Sequence, residues 1–427
     1  MKLIIIAGGK GTRLGFKTIP KPMAEVGERP IIYHQIILAK KYGIKEIVIL
    51  SGYLSEVIEG YLKNGKDLGV NITHIKEERP LGTAGSLKSI ESMIKEGERF
   101  MVFYGDLVMD FNIKSFIDFD KMYQPSIGTL IAHPNDHPHD SDLLVIDNDN
   151  KITNFISKPH NKKYYRNLVN AAVYIFSSKI FDFIEKDLNL DFGKDIFPNI
   201  VNQSKNNLLA YITPEYIKDM GTKDRLDKVC KDFTGGKVAK LNSENKRKAI
   251  FLDRDGVINK NFDPFVDIGK FNLLDGVSES IKKINQSDYL CIVITNQSAL
   301  AKGFINDQEL RLIHDKMETQ ISGSQGYIDG LYYCPHHPET GWDGEVRSLK
   351  IKCSCRKPGI GMLLQAQKDY NIDLSNSYFL GDSQSDMTCG KKAGCSTISI
   401  GNNNFEYADN KFCNLNEAIN HILTFQG

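Results

Sequence analysis

Several features that would point to other protein classes are scarce in this sequence. Its 427 residues include one tryptophan and eight cysteines, and none of the cysteines lies in the first 229 residues. No apolar run approaches the roughly 20 residues that a membrane-spanning helix needs. The formal net charge is +1, so the chain as a whole does not attract nucleic acid or an anionic membrane surface. We therefore expect a cytoplasmic protein with neither nucleic acid nor a membrane as partner.

The first residues place a single lysine before a short apolar run that leads into a glycine loop. This pattern indicates a buried strand and not a signal peptide. Because thiols stay reduced in the cytoplasm, we expect no disulfides among the eight cysteines. Those close together near 334–355 therefore indicate metal binding.

Length and composition predict two soluble domains. A chain of 427 residues is too long for one ordinary hydrophobic core. Its 41% hydrophobic and 25% charged residues are typical of a soluble globular protein. Residues 234–248 are polar, basic and glycine-containing, which is typical of a linker. We place one domain at 1–233 and the other at 249–427. The oligomeric state cannot be read from the sequence.

Both halves alternate strand-like and helix-like patterns, which predicts α/β domains with doubly wound, mainly parallel sheets. In the first half we expect strands at 2–7, 46–50, 71–75 and 100–104, and helices at 30–42, 54–63 and 84–95. In the second half we expect strands at 249–253, 289–294, 327–333, 376–380 and 396–400, and helices at 276–286, 307–321, 359–371 and 415–424.

The first candidate site follows the first predicted strand, where the sequence reads Gly8-Gly9-Lys10-Gly11-Thr12-Arg13-Leu14. Glycines let backbone N–H groups approach phosphate oxygens. Arg13 adds a bidentate fork and Lys21 a point charge, and both would act in catalysis. The pattern indicates a cradle for a nucleoside triphosphate, whose ligands we expect to be Gly8, Gly9, Gly11, Thr12 and Arg13. A glycine loop alone would be equally typical of a solvated turn.

Further motifs accompany this loop. They are Pro20-Lys21-Pro22-Met23, Glu78-Arg79-Pro80-Leu81-Gly82-Thr83-Ala84-Gly85, Gly105-Asp106, Ser157-Lys158-Pro159, Asn170-Ala171-Ala172-Val173-Tyr174 and Asp219-Met220-Gly221-Thr222. In this order they resemble the sugar-1-phosphate nucleotidylyltransferases over most of residues 1–230. The resemblance implies a Rossmann-like sheet, Gly82 and Thr83 against base and ribose, and Lys158 and Asn170 at the sugar phosphate.

The same resemblance implies that Asp106 and Asp219 hold Mg²⁺. Two carboxylates at strand ends suit a hard cation that bridges phosphates. Because the acceptor's own phosphate oxygen is the nucleophile, the site needs positioning and charge neutralisation and no covalent residue.

Two departures from the family concern the sugar side. Ser157 stands where the family usually has glutamate, and Ala172 stands where glycine is common. The segment 133–142, His-Pro-Asn-Asp-His-Pro-His-Asp-Ser-Asp, is also unusual. It is either a sugar-side loop or a polar turn, and we favour the turn. The identity of the sugar therefore stays open.

The second candidate site begins with Asp253 and Asp255 after a second apolar run. Spaced at i and i+2 after a strand, both can point into one crevice. One carboxylate can attack phosphorus while the other donates a proton to the leaving oxygen. Two crowded negative groups call for a cation, here Mg²⁺.

Three downstream motifs complete this site: Ile294-Thr295-Asn296-Gln297, Arg356-Lys357-Pro358 and Gly381-Asp382-Ser383-Gln384-Ser385-Asp386. The ordered set resembles the haloacid-dehalogenase-type phosphohydrolases from residue 249 to about 422. The resemblance implies Asp253 as nucleophile and Asp255 as general acid, then base. It also implies Mg²⁺ at Asp253, Asp255 and Asp382 with Asp386 nearby, and phosphate ligands Thr295, Asn296, Arg356 and Lys357.

A metal site lies between these motifs. Cys334, His336, Cys353 and Cys355 supply three thiolates and an imidazole in two close pairs, a closed tetrahedral set suited to structural Zn²⁺. His337 competes for the imidazole position, but we favour His336 because its spacing mirrors the Cys-x-Cys half. The metal would hold the adjacent Arg356-Lys357 in place.

This zinc pattern narrows the resemblance to the heptose-bisphosphate and histidinol-phosphate phosphatases, compact forms without a large cap. Ser383 departs from the heptose branch, which often has lysine there. Together the two sites imply a bifunctional enzyme acting on small molecules. It would remove the 7-phosphate of D-glycero-α-D-manno-heptose 1,7-bisphosphate and then transfer GMP from GTP to the heptose 1-phosphate.

Two alternatives remain at this point. In the first, another sugar 1-phosphate and UTP, CTP or dTTP are the substrates, with a histidinol-phosphate-like or other small phosphatase attached. In the second, the N-terminal half is a sugar-nucleotide-binding regulatory module on an active phosphatase.

Overall fold

The structure is a computed structural model that describes residues 1–9, 11, 16, 18–203, 207–261 and 268–424. These residues form two compact units. The first contains Met1–His133, Asp140–His160 and Leu168–Asn242. The second contains Pro134–His139, Asn161–Asn167 and the described residues from Ser243 onward. Two short segments from the first half of the sequence therefore belong to the second unit.

The first unit is built on a nine-stranded sheet with the central order β10-β9-β11-β6-β1-β4-β5, with β8 pairing to β11 and β12. Strands β13 and β7 form a separate antiparallel pair, as do β2 and β3. The strands are β1 Leu3–Ala7, β2 Glu25–Val26, β3 Arg29–Pro30, β4 Glu46–Ser51, β5 Asn71–Lys76, β6 Arg99–Tyr104, β7 Leu107–Asp110, β8 Gly128–His133, β9 Leu143–Ile146, β10 Ile152–Ile156, β11 Val169–Ser177, β12 Leu208–Ile212 and β13 Tyr216–Asp219.

Helices flank this sheet and connect its strands. The α-helices are α1 Ile31–Lys41, α2 Ser55–Leu62, α3 Gly82–Lys88, α4 Ile113–Met122, α5 Phe197–Asn202, α6 Lys223–Thr234 and α7 Lys237–Lys240. Helix α7 lies inside the predicted linker, and Val238 is buried there. The limits of the predicted domains remain predictions.

The central strand β1 explains why the N-terminal run is apolar without alternation. Ile5 packs into one hydrophobic cluster and Ile4 into another, and both are fully buried. A strand covered on both faces has no polar face, so its sequence reads as a continuous apolar run. This places the glycine loop at the carboxyl end of a buried central strand.

The second unit has a six-stranded, fully parallel sheet in the order β16-β15-β14-β17-β18-β19. Its strands are β14 Lys248–Leu252, β15 Tyr289–Asn296, β16 Gly330–Cys334, β17 Tyr378–Gly381, β18 Ser396–Ile400 and β19 Asn410–Phe412. Its helices are α8 Val277–Gln286, α9 Asp307–Ser322, α10 Gly361–Tyr370, α11 Gln384–Ala393 and α12 Leu415–Thr424. No helix among the described residues is both long and apolar enough to cross a membrane.

The α/β fold class of both halves is confirmed, but the first sheet is mixed. Strand β11 runs antiparallel to β6, β8 and β9. No strand is predicted for the region that supplies β8 to β13, although β11 contains an uninterrupted apolar run at 171–176. The predicted helix 84–95 is also too long. Helix α3 ends at Lys88, where the hydroxyls of Ser86 and Ser89 bond to backbone carbonyls three residues earlier.

Candidate active sites

Two of the glycines after β1 leave little room for a side chain, whereas Gly9 has open space around it. A Cβ on Gly8 would lie 2.8 Å from Oε2 of Glu77, and a Cβ on Gly11 would lie 2.6 Å from Cγ of Lys21. Gly11 also has φ +63°, a left-handed conformation that favours glycine. Glu77, which the sequence analysis missed, therefore borders this crevice, and burial raises the pKa of its carboxyl. Thr12 and Arg13 lie outside the described residues, so the structure does not place them.

The two predicted metal aspartates of the first unit lie on adjacent chain segments. Asp219 ends β13 and pairs with Leu107, the residue after Asp106. The backbone N–H of Met220 donates to the carbonyl of Asp106 at 3.3 Å. Residues 113 positions apart are thus neighbours, as a shared divalent cation requires.

Each of these aspartates has a cationic partner. Lys21 Nζ lies 3.0 Å from Oδ2 of Asp106. Arg225 donates to both carboxylate oxygens of Asp219, at 2.9 and 3.0 Å. Arg225 belongs to none of the sequence motifs, although it stands six residues after Asp219 in the first turn of α6. These two acid–base pairs lie on chain segments that contact each other, and such side chains can bind phosphate groups and a hard cation.

Gly82 and Thr83, predicted to lie against base and ribose, pack against residues 190–192. A Cβ on Gly82 would lie 2.3 Å from the carbonyl oxygen of Leu190. The hydroxyl of Thr83 donates to Asp191 at 2.9 Å and accepts from the N–H of Phe192 at 3.0 Å. These contacts give both residues a structural role, and their contact with the nucleotide remains a prediction.

Lys158 and Asn170, the predicted ligands of the sugar phosphate, are linked through Asp142. The backbone N–H of Lys158 donates to Oδ1 of Asp142 at 3.0 Å, and that of Asn170 donates to the Asp142 carbonyl at 3.0 Å. Ala172 has φ +57°, which explains why glycine suits this position in the family.

In the second unit, Asp253 follows β14 and lies at the centre of an acidic group. Carboxylate oxygens of Asp253, Asp382 and Asp386 all lie within 4.8 Å of one another. Lys357 Nζ lies 2.7 Å from both Asp253 and Asp386. Such a close set of carboxylates suits Mg²⁺, which would neutralise phosphate charge when bound.

The charged groups in this pocket shift one another's pKa values. Burial, with the neighbouring Asp386, raises the pKa of Asp253 to about 7, and the Lys357 ammonium opposes this rise. Burial alone would lower the pKa of Lys357, but the carboxylates of Asp253 and Asp386 raise it. Lys357 therefore stays protonated and favours an ionised Asp253, the form that a nucleophile needs.

Asp255, predicted to be both a metal ligand and the general acid, is turned toward different partners. The buried guanidinium of Arg254 donates to both of its oxygens at 2.9 Å. Asn259 and Gln297 donate to it as well. Burial would raise the pKa of Asp255, but Arg254 and these hydrogen bonds lower it. The acidic group of three includes Asp386 where we had expected Asp255.

The predicted phosphate ligands lie in two segments of the chain: the end of β15 and the loop that contains Arg356 and Lys357. Thr295 and Asn296 end β15, and Asn296 holds the backbone of Lys357 by accepting from its N–H at 3.0 Å and donating to its carbonyl at 3.2 Å. Arg356 donates to the carbonyl of His336 at 3.2 Å. Asn296 thus positions Lys357, and Arg356 is tied to the cysteine cluster.

The four predicted zinc ligands converge. The Sγ atoms of Cys334, Cys353 and Cys355 lie 3.2 to 3.5 Å apart. His336 Nδ1 lies 3.4 Å from Cys355 Sγ and 3.7 Å from Cys334 Sγ. A tetrahedral zinc with bonds of about 2.3 Å to sulfur and 2.0 Å to nitrogen sets two sulfur atoms about 3.8 Å apart and sulfur and nitrogen about 3.5 Å apart. The distances to His336 are close to this spacing and the thiolates lie slightly nearer one another, so the four residues suit Zn²⁺. His337 instead stacks edge-on against Trp342.

Comparison with known proteins assigns both halves. The nucleotidyl transferase family matches residues 2–235. The chain belongs to the nucleotidyl transferase family. The HAD-hydrolase-like family matches residues 354–423, so the nucleotidyl transferase is joined to a HAD-like domain. The prediction that the chain combines two enzyme families, a nucleotidyl transferase and a HAD phosphatase, is thereby confirmed.

The relatives of this nucleotidyl transferase fusion fall into two groups, one named as guanyltransferases and the other as phosphatases. Mannose-1-phosphate guanyltransferase of Saccharomyces cerevisiae is 36% identical, over 58% of this chain and 67% of that protein. D-glycero-beta-D-manno-heptose-1,7-bisphosphate 7-phosphatase of Haemophilus ducreyi is 39% identical, over 35% of this chain and 81% of that protein. D-glycero-alpha-D-manno-heptose-1,7-bisphosphate 7-phosphatase of Burkholderia mallei is 39% identical, over 36% and 80%.

Proposed function

We propose that this chain converts a D-glycero-D-manno-heptose 1,7-bisphosphate into GDP-heptose in two steps. The phosphatase removes the 7-phosphate, and the nucleotidyl transferase then joins GMP from GTP to the heptose 1-phosphate with release of pyrophosphate. One observation carries the proposal: similarity to a heptose-bisphosphate phosphatase and to a sugar-1-phosphate guanyltransferase occurs within one chain.

The two steps fit chemically. Removal of the 7-phosphate leaves the 1-phosphate in place, and a sugar 1-phosphate is the acceptor that a nucleotidyl transferase of this type uses. D-glycero-D-manno-heptose also has the ring configuration of mannose, extended by one carbon at C6. A guanyltransferase site for mannose 1-phosphate therefore needs only extra room at the end of the sugar.

In the phosphatase step, an oxygen of Asp253 forms a bond to phosphorus while the bond to the sugar O7 breaks. Asp255, whose pKa Arg254 lowers in the structure, would take up a proton as the substrate phosphate binds and give it to O7. It would later take a proton from the water that hydrolyses the aspartyl phosphate. Lys357 neutralises charge on the transferring group. The ammonium lies 2.7 Å from Asp253, which supports this role.

In the nucleotidyl step, an oxygen of the sugar phosphate attacks the α-phosphorus of GTP and pyrophosphate leaves. Lys21, with the predicted Arg13, would stabilise the negative charge that develops. Mg²⁺ held by Asp106 and Asp219 would bind the phosphates. The Lys21–Asp106 pair supports a site in which cation and acid lie together.

The experiment supplies the purified chain with each anomer of the 1,7-bisphosphate, Mg²⁺ and one of GTP, UTP, CTP or dTTP, and identifies products by mass. GDP-heptose from one anomer is expected. Asp253→Asn should lower phosphate release on the order of 10³-fold or more and leave nucleotidyl transfer to heptose 1-phosphate intact. Asp343→Asn, an exposed carboxylate of the same unit, is the control.

Different outcomes separate the alternatives. Efficient transfer from another nucleotide and not from GTP would refute the guanylyl assignment while keeping the enzyme class. Phosphate release without pyrophosphate from any pair of substrates would mean that the first unit only binds sugar nucleotides. Both anomers are tested because the relatives include phosphatases named for each.

A further inference from the structure

Position 157 lacks an acidic side chain, and the structure shows how its serine is used. The hydroxyl of Ser157 donates to the carbonyl of Gly193 at 2.6 Å. It is therefore engaged with the backbone of a neighbouring turn. In the family, a glutamate usually stands at this sugar-side position, so a carboxylate that could accept from sugar hydroxyls is missing there.

A different carboxylate lies beside this position. Oδ1 of Asp142 accepts from the N–H of Lys158, next to Ser157, at 3.0 Å. Its backbone carbonyl accepts from Asn170 at 3.0 Å. Asp142 thus touches both residues that we assign to the sugar phosphate.

The second carboxylate oxygen of Asp142 lies so close to Gly193 that a side chain at position 193 would collide with it. A Cβ on Gly193 would lie 2.5 Å from Oδ2 of Asp142. The turn that contains Gly193 is held by Asp191, which accepts from the N–H groups of Gly193 and Lys194 at 2.9 and 3.2 Å. At Gly193, this turn therefore presents backbone and no side chain to the carboxylate of Asp142.

Asp142 is half-buried, and burial raises the pKa of its carboxyl while the N–H and charge of Lys158 lower it. A partly dehydrated carboxylate gains more from a hydroxyl donor than a solvated one does, because hydrogen bonds to an ionised acceptor are strong at low local dielectric. A sugar ring offers such donors in fixed positions.

We propose that Asp142 determines sugar specificity: its carboxylate accepts hydrogen bonds from ring hydroxyls of the sugar 1-phosphate and replaces the acid missing at Ser157. This inference rests on the proposed nucleotidyl transfer to a sugar 1-phosphate. It gives a function to the end of the segment 133–142, which the sequence analysis favoured as a polar turn.

The test is the kinetics of nucleotidyl transfer by Asp142→Asn, with heptose 1-phosphate and mannose 1-phosphate as acceptors. The amide keeps an oxygen that can accept from the Lys158 N–H, so the loop contact survives. We expect KM for the sugar phosphate to rise about 10- to 100-fold, as for loss of one charged hydrogen bond. KM for the nucleotide should stay within twofold.

A second variant and a control make the test specific. Ser157→Glu added to Asp142→Asn returns an acid to the same area, and it should lower the sugar KM again or change the ratio of the two acceptors. Asp118→Asn removes an exposed carboxylate on α4 and should change neither KM. KM does not depend on the folded fraction, so partial unfolding of a variant does not imitate the expected result.

Each remaining result overturns a defined statement. An unchanged sugar KM in Asp142→Asn, or an equal rise of both KM values, would refute the specificity role. Absence of transfer by the wild-type chain with every sugar phosphate and nucleotide would refute the proposed function itself, before any variant is compared.

Discussion

Lys357 Nζ lies 2.7 Å from Oδ1 of Asp253, and the lysine side chain is only 2% exposed. The same nitrogen lies 2.7 Å from Asp386, which is fully buried. A buried ammonium shared by two carboxylates is held in one position, since leaving either acid unpaired would be costly. Its place beside the proposed nucleophile makes it a sensitive point of the phosphatase.

Lys357→Met should therefore reduce phosphate release about 10²- to 10³-fold, because it removes a fixed positive charge from the reacting group. Nucleotidyl transfer should not change. Phosphate release from the bisphosphate is measured beside Lys392→Met, an exposed lysine on α11. Equal activity of the two variants would remove Lys357 from the site.

The cysteine cluster should contain about one zinc per purified chain, detectable by elemental analysis. Cys355→Ser should remove most of this zinc. It should also lower phosphate release on the order of tenfold, because the cluster orders the adjacent Arg356 and Lys357. Cys413→Ser, which changes an exposed cysteine, is the control. A Cys355→Ser chain that keeps its zinc would contradict the ligand assignment.

Ala172 has a left-handed conformation with φ +57°, which is unfavourable for a residue with a Cβ. Ala172→Gly should raise the free energy of unfolding by about 0.5–1 kcal/mol. Ala171→Gly in the same strand should lower it, since Ala171 is buried and does not share this conformation. Thermal unfolding compares the two, and a loss of stability in Ala172→Gly would show that its methyl packing outweighs the strain.

Glu318 on α9 is buried, and it accepts from the N–H of Asn167 at 2.7 Å. Burial raises its pKa to about 7, although Arg166 lowers it in part. The native state therefore binds this proton more tightly than the unfolded chain does. The stabilisation that this bound proton contributes is fully present below the ordinary glutamate pKa, and it is lost as the pH rises through 7.

Glu318→Gln removes this dependence, because its amide does not ionise and its oxygen can still accept from Asn167. At pH 8 the variant should exceed the wild type in unfolding free energy by roughly 2–3 kcal/mol, and at pH 4.5 the two should be nearly equal. Thermal unfolding at both pH values measures the difference. A variant that is less stable than the wild type at pH 8 would reverse the sign and contradict the argument.

Much of the second unit could be predicted because its signals are local. Strand β14 is a short apolar run after a lysine, and β18 alternates polar residues with Ile398 and Ile400. Both lie within one residue of their predicted limits. The second half of the first sheet could not be predicted in this way. Strand β11 takes its antiparallel partners from three different parts of the chain, and its irregular pairing near Ala172 has no local pattern.

The sites show the same division. Asp253, Lys357 and the four predicted zinc ligands stand in short motifs whose residue types indicate their chemistry. Arg225, Glu77 and Asp142 stand in no such motif. Their roles became visible only through contacts with Asp219, Gly8 and Lys158.

The sequence by itself determined the two enzyme classes, the thiolate cluster and the order of most strands and helices of the second unit, because spacing along the chain carries that information. Only the tertiary structure decided which acids share a pocket. Asp386 joins Asp253 and Asp382, and Asp255 turns to Arg254. These pairings follow from strand register and helix packing, which bring together residues far apart in the chain and leave no mark in the local sequence.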